Sequence, residues 1–148
     1  MYSIDIASER IDEQDKKVIQ HVLSQDWNPK KCLILGSGEG RIGFVMALLG
    51  FEVVCVDIDD YSGKYEKANK IFNFPKPMRF IHKSMADLKN GDFKREFSIV
   101  LIQRALHYVP YEKQVELLRV LPSFMNKSGY LYLAVSCVDS DMGIDYEG

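Results

Sequence analysis

Residues 31–60, KCLILGSGEGRIGFVMALLGFEVVCVDIDD, decide the fold. An apolar run over residues 32–35 stops at the turn Gly36-Ser37-Gly38-Glu39-Gly40. A helical pattern follows over residues 41–49, and Gly50 ends it. A second apolar run, residues 53–56, stops at an acid, Asp57. Strand, glycine loop, helix, strand and acid, in that order, are how an α/β sheet builds a nucleotide pocket at the carboxyl ends of its strands.

Each part of that pattern has a physical reason. Gly36 and Gly38 let the backbone turn sharply and approach a ligand with no Cβ in the way. The first N–H groups of the helix at Arg41 have no partner inside the helix, and they favour a carboxylate or a phosphate. Asp57 lies 21 residues after Gly36, at the end of the neighbouring strand. A carboxylate there accepts the hydroxyl protons of a ribose. The plainer alternative is a tight turn with no ligand, and an acid that merely caps the next helix. Glycines and acid at matching strand ends favour the nucleotide.

The whole chain sets the bounds. Its 148 residues suit a single domain with a real core. The hydrophobic share of 47% and charged share of 27% are ordinary for a globular protein. A net charge of −2 gives no electrostatic footprint for nucleic acid or an anionic membrane. Cys32, Cys55 and Cys137 sit in apolar, strand-like runs, with no CxxC pair and no metal-ligand spacing. They read as reduced, buried thiols of a cytoplasmic protein that holds no metal. No run approaches about 18 apolar residues, so no membrane span is expected. The opening MYSIDIASERIDEQDKK is too charged for a signal peptide.

Outside the central stretch, residues 1–10 read as an irregular arm and residues 137–148 as an irregular tail. Residues 11–25 are helical, with Ile11, Asp15, Val18, Ile19, Val22 and Leu23 at three- and four-residue spacing. Asn28-Pro29 breaks that helix. On the helix after the glycine loop, Ile42, Val45, Met46 and Leu49 form the apolar face, and Gly43 permits close approach to the sheet. Asp59 and Asp60 are placed to cap a helix from Ser62 to Phe72. A third strand is expected over residues 78–82, a loop with one helical turn over 83–96, and a fourth strand over 97–102. A helix over residues 111–125 presents Val115, Leu118 and Leu121 on one side, and Pro122 divides it. A turn over 126–129 leads into a fifth strand, 130–136. This alternation gives a three-layer, doubly wound, mostly parallel sheet that grows outward from the first strand in both directions. The ligand belongs where the winding reverses, beside Gly36 to Gly40.

Four segments in this order resemble the class I S-adenosylmethionine-dependent methyltransferases. LILGSGEG is similar to that family's glycine motif, and Asp57 at the end of VVCVD to its ribose-binding acid. FIHKSMADL and FSIVLIQRALHYV are similar to the segments around its third and fourth strands. The turn NKSGYLYLAV is similar to its entry into the fifth strand. The resemblance implies a Rossmann-like methyltransferase fold and an S-adenosylmethionine cofactor. It places Gly36, Ser37, Gly38 and Gly40 under the cofactor, and Asp57 with Ile58 at its ribose end. Ser84 and Met85 fall at the adenine, and Gln103 at the methionine part. Ile34, Ser84 and Ser98 stand where the family often has acids. The family usually has seven strands and five are legible here, so the chain is expected to lack the last two, as a truncated product or as a subunit of an oligomer. The fifth strand would then be a long apolar edge, an aggregation hazard unless an oligomer, such as a homo-oligomer through that edge, covers it.

Methyl transfer from a sulfonium is an in-line displacement, so positioning matters more than any one catalytic group. His107 is the candidate base, weighed against a histidine packed at a helix start. Tyr108 and Tyr111 read either as pocket walls or as half-buried aromatics, and Arg104 as an anion guide or a surface residue. His21 and His82 read as surface or packed residues. The charge balance points to a small-molecule acceptor. Two other readings stand beside this one: an NAD(P)-dependent oxidoreductase and a truncated, non-catalytic nucleotide-binding domain. Against the first, Glu39 would face a pyrophosphate with no lysine in the loop.

Overall fold

The computed structural model describes residues 13–103 and 105–134. Its helices are α1 (Glu13–Leu23), α2 (Arg41–Leu48), α3 (Ser62–Phe72) and α4 (Tyr111–Val120). Its strands are β1 (Lys31–Leu35), β2 (Glu52–Asp57), β3 (Arg79–His82), β4 (Phe97–Gln103) and β5 (Met125–Ala134). Single 3₁₀ turns occupy Met85–Asp87, Leu106–Tyr108 and Leu121–Phe124. The arm, the tail with Cys137, and Arg104 lie outside the described residues.

The strands pair in the order β3-β2-β1-β4-β5, and every pair is parallel. The chain steps outward from β1 to β3, returns to the other side of β1 with β4, and ends on β5. The expected doubly wound sheet is therefore present, with its switch point between β1 and β4. Central strands are apolar on both faces because both faces are covered. Cys32, Ile34, Val53, Cys55, Ile99 and Leu101 point into one core with α1, α2 and α3. Leu33, Leu35, Val54, Val56, Val100 and Ile102 point into the other, with α4 and the 3₁₀ turns.

Three local expectations are corrected. On α2 the buried residues are Ile42, Gly43, Met46 and Ala47, while Val45 is half-buried. The helix rests on its small residues: a Cβ on Gly43 would lie 3.0 Å from Cys55 Sγ, so the expected close approach is real. That contact turns Val45 to the flank, while Leu49 still packs against the core. On α4 the inward residue is Leu117, followed by Leu121, and Leu118 faces out. The side chain of Gln114 sets this rotation by donating to the carbonyls of Leu106 and Val109 at 3.1 and 2.7 Å.

The third correction concerns β5. The residues expected as a turn, 126–129, lie inside the strand as a wide bulge. Phe97 pairs Met125 and Ile99 pairs Tyr130, so the four residues 126–129 of β5 oppose the single Ser98 of β4. The bulge carries Phe97 from the face of Ile99 and Leu101 to the face of Val100. Asn126 Oδ1 accepts from the Ser128 N–H at 3.0 Å and holds the bulge. Beyond it β5 forms the edge, with Tyr130, Leu131 and Leu133 each about two-fifths exposed. No helix among the described residues is long and apolar enough to cross a membrane.

Candidate functional site

The glycine loop leaves the end of β1 and is pinned at once to β2. Gly36 N donates to the Val56 carbonyl at 2.8 Å, and Gly40 N donates to the Ser37 carbonyl at 3.1 Å. Gly36, Gly38 and Gly40 have φ of +71°, +55° and +89°, the left-handed region that side chains resist. The Asp57 side chain reaches across to this loop. Its Oδ2 accepts the Gly38 N–H at 2.8 Å, and its Oδ1 accepts the Asp59 N–H at 2.9 Å. A carboxylate offers about four lone-pair positions, so each oxygen keeps one for a ligand donor.

Ile58 follows at the same crest and is 67% exposed. Its backbone is held from β3, where His82 Nε2 lies 2.9 Å from the Ile58 carbonyl. The Lys83 N–H donates to the Asp57 carbonyl at 2.9 Å. An apolar side chain raised beside an anchored carboxylate suits a ring attached to a sugar. Ser84 Oγ accepts the Ala86 N–H at 3.2 Å and caps the 3₁₀ turn that follows. That turn directs Met85 inward, where its methyl lies 3.2 Å from where a Cβ on Gly36 would be.

Gly36 has a different neighbour from the expected one. A Cβ there would sit 2.5 Å from the Cβ of Ala105, just past β4. A Cβ on Gly40 would sit 2.6 Å from the Tyr65 hydroxyl. Both glycines are thus required by the protein's own packing, Gly36 against Ala105 past β4 and Gly40 against Tyr65 of α3, as well as by their left-handed backbone. Sequence reasoning reserved that space at Gly36 for a ligand.

The crest therefore gathers Gly36, Ser37, Gly38, Gly40, Asp57, Ile58 and Met85, with Ser84 next to Met85. Gln103 ends β4 opposite Ala134, and His107 lies in the turn Leu106–Tyr108. The side chains of both lie outside the described residues. Tyr108 and Tyr111 are each 74% exposed, so neither is a half-buried aromatic. His21 sits between Trp27 and Tyr130, at ring separations of 5.0 and 4.4 Å, and bonds the Tyr132 hydroxyl. It belongs to the packing of α1 on β5. An open depression of about 340 Å³ lies beside Glu39, Gly40, Arg41, Phe44 and Val45; Asp57 and Met85 do not line it.

Two contacts were missed from sequence. Lys64 of α3 pairs with Glu39, so the loop acid is offset after all. Tyr65, also on α3, is 2% exposed and bonds the glycine loop from below. Its signal was the recurrence of Tyr61, Tyr65 and Ala68 at helical spacing on a helix that must face the sheet. A buried tyrosine needs a partner for its hydroxyl, and the loop lies nearest.

A family model described as a methyltransferase domain matches residues 28–143. The chain belongs to this methyltransferase domain family. No curated protein matches it in sequence. Among solved structures, the methyltransferase domain is similar to the Burkholderia thailandensis 1,6-didemethyltoxoflavin-N1-methyltransferase, bound to 1,6-didemethyltoxoflavin and S-adenosylhomocysteine. That match has a TM-score of 0.68 at 19% identity and covers 86% of this chain and 51% of the other. It is similar to Haemonchus contortus phosphoethanolamine N-methyltransferase 1, bound to phosphoethanolamine and S-adenosylhomocysteine. There the TM-score is 0.69 at 18% identity, over 87% of this chain and 27% of the other. A TehB-like methyltransferase of Corynebacterium glutamicum matches with a TM-score of 0.60 at 17% identity, over 80% and 59%. The chain thus spans about half the length of the first of these structures. Neither the oxidoreductase reading nor the non-catalytic one finds support among these matches.

Proposed function

We propose that this methyltransferase domain binds S-adenosylmethionine at the crest of β1 and β2 and transfers its methyl group to a small-molecule acceptor. The observation that carries the reading is the Asp57 carboxylate. It is anchored to the Gly38 N–H at 2.8 Å and keeps lone pairs for ribose hydroxyls. Exposed Ile58 suits the adenine side, with Ser84 and Met85 beyond it. Gly36, Ser37, Gly38 and Gly40 underlie the amino-acid end, near Gln103.

When bound, the cofactor supplies a methyl group whose bond to sulfur breaks as a bond to the acceptor forms. The chain's own part is to hold the donor, aim it and exclude water. His107 is the candidate base for an acceptor that must lose a proton, and a sulfur acceptor would need none. A small molecule fits the mild negative charge, which offers nucleic acid no footprint. The phosphoethanolamine and didemethyltoxoflavin enzymes of similar fold also act on small molecules. A cytoplasmic location rests on Cys32 and Cys55, which are buried and unpaired.

Isothermal titration with S-adenosylhomocysteine and with NAD tests the reading. Binding of S-adenosylhomocysteine alone is expected; binding of NAD alone overturns it. We also propose that a second copy covers β5, the edge strand among the described residues, where Tyr130, Leu131 and Leu133 stand partly exposed. Sedimentation velocity at micromolar concentration should then give a dimer mass, and a monomer refutes it.

A further inference from the structure

Tyr65 lies 28 residues beyond Ser37 on α3, yet its hydroxyl is inside the glycine loop. It is 3.0 Å from Ser37 Oγ and 3.1 Å from the Gly38 carbonyl. The ring fills the space that a Cβ on Gly40 would need, and it stacks on Phe80 at 4.8 Å. The Cys55 thiol lies buried in the same core, and burial pushes it up to about 12. Burial raises Tyr65 as well, so both groups stay protonated.

Proton counting fixes how these groups fit together. The Gly38 carbonyl can only accept, and Tyr65 has one proton to give. Both contacts are satisfied at once when Tyr65 donates to the carbonyl and Ser37 donates to the Tyr65 oxygen. Gly38 is then gripped from both sides: its N–H by Asp57 and its carbonyl by Tyr65. Those two bonds hold the residue at its left-handed φ of +55°.

We propose that Tyr65 is a positioning residue for cofactor binding, holding the glycine loop in its ligand-ready form through the hydroxyl. Ser37 then offers a ligand acceptor positions only, because its hydroxyl proton is committed to Tyr65 and its N–H donates to the Val56 carbonyl at 3.3 Å. The proposal rests on the cofactor reading above.

The variant Tyr65→Phe keeps the ring, the stacking and the filled space, and removes only the hydroxyl. The dissociation constant for S-adenosylhomocysteine should rise about 3- to 10-fold, the size expected for one lost neutral hydrogen bond. Amide exchange at Gly38 and Gly40 in the ligand-free protein should quicken, read by nuclear magnetic resonance. A fall in Tm with unchanged affinity and unchanged exchange would reduce Tyr65 to ordinary packing and overturn the proposal. If Tyr65→Phe does not fold, Ser37→Ala cuts the same network from its other end; faster Gly38 exchange supports the proposal and unchanged exchange overturns it. If the unmodified protein binds no S-adenosylhomocysteine, the cofactor reading fails, and loop exchange alone decides the role of Tyr65.

Discussion

The two ends of this parallel sheet are built by different means. At the amino end, side chains tie the strand starts together. Lys31 on β1 pairs with Glu52 of β2 and with Glu96 before β4, each at 3.0 Å. Ser98 Oγ donates to the Pro29 carbonyl at 2.5 Å, and Trp27 Nε1 donates to the Val22 carbonyl at 2.9 Å. At the carboxyl end the main chain carries the structure. Three left-handed glycines turn beside an acid, and Ala105, Met85 and Tyr65 fill the space that side chains on Gly36 and Gly40 would need. The difference separates two kinds of cost. Changes at the amino end should lower stability and leave ligand affinity alone. Changes at the carboxyl end should alter the shape a ligand meets.

The hardest test of that division is Gly36→Ala. The new Cβ would meet Ala105 Cβ at 2.5 Å with φ at +71°. Left-handed strain plus overpacking should cost about 2–4 kcal/mol of stability, read by urea denaturation, and should abolish tight S-adenosylhomocysteine binding. A neutral result would mean that the β1–β4 crest parts easily and that the glycine is not structural. Next comes Asp57→Ala, which removes a charged acceptor from the Gly38 and Asp59 N–H groups and from the proposed ribose. Calorimetry should show affinity for S-adenosylhomocysteine weakened by about 1.5–3 kcal/mol. An unchanged dissociation constant would move the ribose elsewhere and take the cofactor reading with it.

What the sequence revealed follows the same division. Order, sheet topology and the meeting of Asp57 with the glycine loop were legible because they depend on local signals: apolar runs, turn glycines and a strand-end acid. The closing contacts were not. Ala105 meets Gly36 across 69 positions, and Tyr65 meets Gly40 across 25. Nothing local in either segment states which partner it will find. Lys64 escaped notice for the same reason, so Glu39 appeared unopposed. The β5 bulge was read as a turn because Asn126-Lys127-Ser128-Gly129 has turn chemistry; the pairing of Met125 with Phe97 outweighs it. On α2 Val45, and on α4 Leu118, were wrongly read as facing the core. Apolar spacing alone ignores small residues that seat a helix and a glutamine that turns it.

At the amino end the effects should be smaller and confined to stability. Ser98→Ala leaves the buried end of β4 without its bond to the Pro29 carbonyl. A loss of about 1 kcal/mol is expected in urea denaturation, with S-adenosylhomocysteine affinity unchanged. A weakened affinity in this variant would show that the two ends are coupled through β4.

The smallest effect is expected at Lys31, although its two ion pairs look strong. Its side chain keeps a quarter of its surface in water, and partly exposed pairs contribute little. Lys31→Met keeps most of the apolar stem and should cost below about 1 kcal/mol at pH 7. The hydrogen bond to Glu96, then that to Glu52, raises the Lys31 ammonium above its usual value, against the opposing effect of burial. A raised ammonium favours the folded state while it is protonated. Its contribution is therefore full below the unfolded value near 10.5 and disappears as pH climbs through the folded one. The gap between the unmodified protein and Lys31→Met, measured by urea denaturation, should accordingly shrink above about pH 11. It should shrink also in 1 M salt, where the screening length falls to about 3 Å. A gap that survives both conditions would place the effect in packing of the lysine stem between β2 and β4, and not in its charge.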